Sequence, residues 1–222
     1  MTRFSDQLRD ACAEDWRKAH EQHPFVVAMG DATLSLERFQ YFMRQDYLFL
    51  IDYARVLAIA AAKSPDLSSM GHWASLLDET LNSEMELHRG FCADFGISVT
   101  ELEATEPMPA TVAYTDHLAR TAFEGEIHEL AAALLPCQWG YDEVGQQLAP
   151  VLQRSPDSFH ARWVAGYNDP AYRRLTGWLR GFVDQLGQSS TEHQRQRMLT
   201  TFRARTRYEY LFWDAAWKLQ GW

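Results

Sequence analysis

Three places in the sequence set a reactive side chain where helical periodicity expects an apolar one. The first is Asp46, whose neighbours three and four positions away are Phe42, Met43, Phe49 and Leu50. A carboxylate in the middle of such a stripe must be hydrogen-bonded, paired or protonated, because an unpaired buried charge is strongly unfavourable. It serves either as a structural ion pair or helix cap, or as a carboxylate that binds a ligand. The second is Leu135-Pro136-Cys137-Gln138-Trp139-Gly140-Tyr141, where Pro136 should kink a helix and Cys137 and Tyr141 fall one turn apart. A thiol beside a phenol is a nucleophile with a hydrogen-bond partner in place, or else a small buried hydrophobe. The third is Glu209, in Tyr208-Glu209-Tyr210-Leu211-Phe212-Trp213-Asp214, with Arg205 one turn before it. Aromatic surroundings raise a carboxyl pKa and an arginine lowers it, so the direction stays open. A raised value suits a proton donor at neutral pH; the plainer reading is a surface Glu–Arg pair.

Metal chemistry finds little support in the spacing. A di-iron bundle wants Glu-x-x-His pairs, but Glu84 and His88 are four apart, as are Glu124 and His128. His88, on an apolar face, reads as a satisfied core histidine. The three cysteines, Cys12, Cys92 and Cys137, are far apart and give neither a disulfide framework nor a zinc knuckle. No metal or other cofactor is expected.

The elements that must position these groups are helical almost throughout. Helices are expected over residues 5–20, 35–62 with Ser35 as cap, 67–95, 110–123, 126–148, 156–165, 170–186 and 191–219. Residues 26–34 read as a connection turning at Gly30-Asp31, 96–109 as a loop, and 187–190 as a polar break. There is no internal repeat, low-complexity tract or linker, which implies one all-α, single-domain helical bundle. At 222 residues and 46% hydrophobic, the chain can bury a sizeable core and is not disordered. Its 30 acidic against 21 basic residues argue against a nucleic-acid binder. Residues 1–20 lack the apolar core of a signal peptide, and the longest apolar stretch, 130–141, is too short for a bilayer. A cytoplasmic protein with no membrane partner is expected.

Taken in order, the motifs resemble the TenA/thiaminase II family, helical proteins of the haem-oxygenase-like fold that bind no haem. The resemblance begins at His23-Pro24-Phe25. It continues through Phe39-Gln40-Tyr41-Phe42-Met43-Arg44-Gln45-Asp46-Tyr47-Leu48-Phe49-Leu50 and Pro136-Cys137-Gln138-Trp139-Gly140-Tyr141-Asp142-Glu143, and closes on the Glu209 segment. It implies Cys137 as nucleophile, Glu209 as acid/base group and Asp46 on the polar edge of an aminopyrimidine. Phe49 would stack on the ring, Tyr114, Tyr141 and Tyr167 would surround it, and His88 would support the pocket. Cys137 places the chain in the cysteine-containing group. The implied activity is that of an aminopyrimidine aminohydrolase, or thiaminase II, of thiamin salvage. It converts 4-amino-5-aminomethyl-2-methylpyrimidine to the hydroxymethyl compound and ammonia, and thiamin to hydroxymethylpyrimidine and thiazole. The chemistry suits the residue types: a thiolate adding to a ring carbon pushes electrons into the ring while a carboxyl group protonates a ring nitrogen. A homotetramer is also implied, with Trp217 and Trp222 as interface aromatics or ordinary packing. Two other readings use the same residues: a non-catalytic pyrimidine- or thiamin-binding regulatory protein, and a haem or di-metal redox enzyme on the same fold.

Overall fold

Side-chain caps decide where most of the helices begin. Ser35 accepts from the Arg38 amide, Asp66 from Ser69, Ser158 from Ala161, and Thr191 forms a capping box with Gln194. The computed structural model describes residues 2–222, and all its regular elements are helical. In chain order they are α1 (Phe4–Asp10), α2 (Ala13–Trp16), α3 (Pro24–Gly30), α4 (Leu36–Ala62), α5 (Leu67–Glu79), α6 (Met85–Asp94) and α7 (Val99–Glu103). They continue as α8 (Pro109–Glu124), α9 (Ile127–Gln147), α10 (Val151–Arg154), α11 (Phe159–Tyr167), α12 (Pro170–Ser189) and α13 (Glu192–Lys218).

Several boundaries differ from the periodic reading, each for a local reason. The expected helix over 5–20 breaks at Ala11-Cys12 and ends in a π turn, Arg17–Glu21. Residues 26–34 are not a connection: Pro24 at the first helical position and the His23 ring, accepting from the Phe25 amide, start α3. The chain turns one residue later, at Ala32, with φ 57°. The span 67–95 is interrupted by a second π turn, Thr80–Glu84. The loop 96–109 contains α7, held by a Ser98/Glu101 capping box. The helix expected over 156–165 starts at Phe159 and runs on to Tyr167. The break at 187–190 is not one, because α12 continues to Ser189. Gly187 serves packing there: a Cβ on it would lie 2.2 Å from the Phe4 ring.

The helix α9 lies at the centre and packs on α13, α12, α11 and α8, while α4 packs on α5, α8, α6 and α13. Nearly every side chain of α9 from Glu129 to Val144 is buried, which explains why its sequence shows no polar face. An aromatic cluster fills the space between α3, α4, α9 and α13. Trp213 stacks on Phe25 at 4.9 Å, Phe42 at 5.1 Å and Tyr141 at 5.2 Å. Each such ring contributes about 1.5–3 kcal/mol by leaving water. This cluster is the floor under the reactive residues.

Candidate active site

Cys137 projects from α9 into a chamber walled by α4, α6, α8, α11 and α13. It keeps accessible surface although Leu135, Pro136 and Gln138 around it are buried, so it lines a space rather than filling one. Glu209 of α13 lies beside it, 1% exposed. The Tyr114 hydroxyl of α8 donates a hydrogen bond to Glu209 Oε1. Across the chamber, His88 Nε2 of α6 lies 2.8 Å from Asp46 Oδ2 of α4. The other His88 nitrogen, Nδ1, meets the Glu84 carbonyl at 2.8 Å, so that nitrogen donates and the ring is oriented from both sides. Asp46 is therefore paired through one carboxylate oxygen.

Aromatic rings close the rest. Phe49 rests on Tyr114 at 4.7 Å, Tyr141 on Tyr167 at 4.9 Å, and Tyr208 stacks on Tyr114 at 5.5 Å. The structure thus brings Cys137, Glu209, Asp46, Phe49, Tyr114, Tyr141, Tyr167 and His88 around one space, although they come from six helices. Flat walls with polar groups at the edges suit a heteroaromatic ligand.

Burial sets the proton affinities. It pushes Glu209 up to about 7 against the pull of the Tyr114 hydrogen bond, Arg205 and Cys137, so the direction that sequence left open is upward. Burial also pushes the Cys137 thiol well up, and Glu209, Glu84 and Asp46 add to this while Arg205 opposes. At rest Cys137 is a thiol, and it needs a proton acceptor at the moment it attacks. Burial would lower His88, but the hydrogen bond and charge of Asp46, with Glu84, win and raise it.

Sequence reasoning offered Arg205 as a surface partner of Glu209 and missed Glu84 and Tyr53 as contributors. Arg205 is 0% exposed and is no surface partner of Glu209. It binds the Tyr114 carbonyl at 2.7 Å and the Ala133 carbonyl at 3.3 Å, with its guanidinium 3.7 Å over the Tyr114 ring. Glu84 receives the Tyr167 hydroxyl at 2.7 Å, and burial raises it to about 7. Tyr53 sits on the inner face of α4 with a buried hydroxyl. The Glu84-x-x-x-His88 spacing was the signal for Glu84, but it answers no metal pattern. Among the described residues no group of three or more His, Cys, Asp or Glu is placed to hold a metal ion.

Fold and chamber together define an all-α protein of the haem-oxygenase-like class with a cysteine–carboxylate site. A Shewanella denitrificans OS217 domain of unknown function with a heme oxygenase-like fold shares this architecture, at TM-score 0.77 and 13% identity over 96% of this chain and 92% of that one. A TenA homologue from P. horikoshii OT3 superposes with TM-score 0.89 at 30% identity, covering 98% of this chain and 99% of the other. A protein of Halalkalibacterium halodurans named aminopyrimidine aminohydrolase is 37% identical over 219 residues, which are 99% of this chain and 97% of that protein. Residues 9–219 match the TENA/THI-4/PQQC family, and the chain belongs to that family.

Proposed function

We propose that the protein is an aminopyrimidine aminohydrolase of thiamin salvage. It hydrolyses 4-amino-5-aminomethyl-2-methylpyrimidine to the hydroxymethyl compound and ammonia, and thiamin more slowly to the same pyrimidine and thiazole. The observation that carries this reading is the Cys137 thiol beside a Glu209 carboxyl that Tyr114 holds in place. Near-full-length similarity to a relative named for this activity supports the substrate class.

In this reading the Asp46–His88 pair holds the polar edge of the pyrimidine, and the Phe49–Tyr114 wall takes its face. Glu209 accepts the thiol proton as Cys137 adds to a ring carbon, and a carboxyl proton goes to a ring nitrogen. The ring electrons then expel the amine from the methylene carbon. Water adds to the exocyclic methylene, the Cys137–carbon bond breaks, and the thiol recovers its proton. The thiol depends on the carboxyl because burial keeps it protonated, whereas Glu209, at about 7, can accept and return a proton near neutrality.

Ammonia release from the aminomethylpyrimidine tests the assignment directly. Wild type should release it, and Cys137→Ala should fall by about 10³-fold or more in kcat while keeping its melting temperature, since the side chain lines a void. A folded wild type that releases no ammonia, or a Cys137→Ala variant at full rate, sinks the proposal. We infer further that the whole chain acts as one domain, in a cytoplasmic homotetramer. The exposed Trp222, at 75%, and Leu211, at 47%, support an interface, which light scattering would size.

A further inference from the structure

Arg205 is a buried charge that the fold does not require. Its residue is 0% exposed, and among the described residues no carboxylate lies within ion-pair distance of it. The more exposed Arg180, Arg197 and Arg207 each pair with an acid. Taking a guanidinium out of water without a counter-charge is costly, and its hydrogen bonds do not explain why the cost is met. They go to the Tyr114 carbonyl at 2.7 Å and the Ala133 carbonyl at 3.3 Å. Both carbonyls lie inside α-helices, α8 and α9, which already bond each one to the amide four residues on.

What the contacts of Arg205 share is the reactive site. Ala133 is the residue whose carbonyl takes the backbone amide of Cys137 in α9, and Pro136 leaves that stretch of helix without one of its N–H donors. Tyr114 is the residue whose hydroxyl donates to Glu209. Arg205 holds it twice, through the carbonyl and with the guanidinium 3.7 Å over the ring. A cation on the face of a phenol strengthens its O–H as a donor. Glu209 itself follows one turn later on α13. One side chain therefore touches the backbone beneath the nucleophile and the phenol that holds the base, and it stands on the helix that carries the base.

We propose that Arg205 is a positioning residue of the reaction, which fixes Tyr114 and the Cys137 turn of α9 relative to Glu209 and supplies the buried counter-charge for the ionised Glu209 carboxylate. The inference rests on the proposed roles of Cys137 and Glu209, and not on which pyrimidine is bound. The other groups that face Glu209 are Tyr114 from α8, Cys137 from α9 and Asp46 from α4, none of them cationic. His88 of α6 is taken up by Asp46. On α8 His117 also feels the Arg205 charge, which holds its own proton affinity down. Arg205 is thus the positive charge left to face the carboxylate as it accepts the thiol proton.

Arg205→Met, of similar length but without charge or donors, and Arg205→Lys, with the charge but not the planar fork, test this. The Met variant should keep its melting temperature to within about 5 °C, since it leaves no orphan acceptor. Mass spectrometry then follows alkylation of Cys137 by neutral iodoacetamide against pH, with no pyrimidine present. The wild-type inflection near pH 7 should move up by about one pH unit or more in Arg205→Met and return most of the way in Arg205→Lys. With the aminomethylpyrimidine, kcat of Arg205→Met should fall about 10²-fold while KM changes less than about threefold. Arg205→Lys should regain only part of kcat, because an ammonium cannot span both carbonyls as a guanidinium does. An inflection unmoved in Arg205→Met overturns the inference, and so does a larger loss of melting temperature, which would assign Arg205 to the fold. If wild type releases no ammonia yet the inflection moves, the role of Arg205 stands and the aminopyrimidine reading fails.

Discussion

At the scale of single residues, the site works by moving proton affinities toward one another. Burial raises Glu209 to about 7 and the Cys137 thiol well above its usual value, so the carboxylate, not the thiolate, is the base available near neutrality. Alkylation of Cys137 by neutral iodoacetamide should then accelerate through an inflection near pH 7, where Glu209 ionises. In Glu209→Gln that inflection should vanish and the rate fall, with kcat down by about 10²–10⁴-fold. An inflection that survives the substitution would assign the proton acceptor to another group. The buried Arg205 contributes by opposing the carboxylates electrostatically while its own donors are taken by the Tyr114 and Ala133 carbonyls. It lowers both Glu209 and Cys137 without bonding either.

At the scale of elements, the chamber depends on close approaches to α9. Gly140 lets the π turn after α2 press in: a Cβ there would lie 2.2 Å from His20 Nε2. His20 is buried and packs on Trp16 at 4.3 Å, so it has no room to yield. Gly140→Ala should therefore destabilise by about 1–3 kcal/mol in urea unfolding. At Gly177, on the exposed side of α12, an added Cβ would meet nothing within 4 Å. Gly177→Ala should stabilise by about 0.5–1 kcal/mol through helix propensity alone. Opposite signs from the same chemical change at two helical glycines separate packing from propensity; matching signs would contradict this account of α9.

At the scale of the whole molecule, two sets of buried groups shape stability against pH. Burial lowers His20 to about 3 and His23 to about 4 from 6.5. The unfolded chain binds those protons first, so stability is lost as pH falls below 6.5. Glu209, Glu84 and Glu79 are raised from 4.5 to about 7, 7 and 8. Their folded state holds protons the unfolded chain releases, so their contribution is complete below 4.5 and lost as pH rises through 7–8. The melting temperature of the ligand-free protein should peak between these limits, at about pH 4.5–6.5. The alkaline decline should shrink in Glu79→Gln and Glu84→Gln. A maximum above about pH 8 would reject this balance.

Helix content, the Ser35 cap and the odd placement of Asp46 are all legible along the chain, because capping and periodicity act over three or four residues. The motif resemblance adds Cys137 and Glu209 as a pair, 72 positions apart, without their geometry. What periodicity could not supply is where the helical repeat itself changes. The π turn at Thr80–Glu84 aligns two acids that an α-helix would separate, and α3 replaces a connection because Pro24 and the His23 ring start a helix together. Partnership across helices is equally out of local reach. Asp46 meets His88, Tyr114 meets Glu209, and Arg205 turns inward to backbone carbonyls only after α4, α6, α8, α9 and α13 have packed. Neighbouring residues can specify a helix and its apolar face. The removal of water that raises Glu209, Glu84 and Glu79 comes from distant segments closing over them.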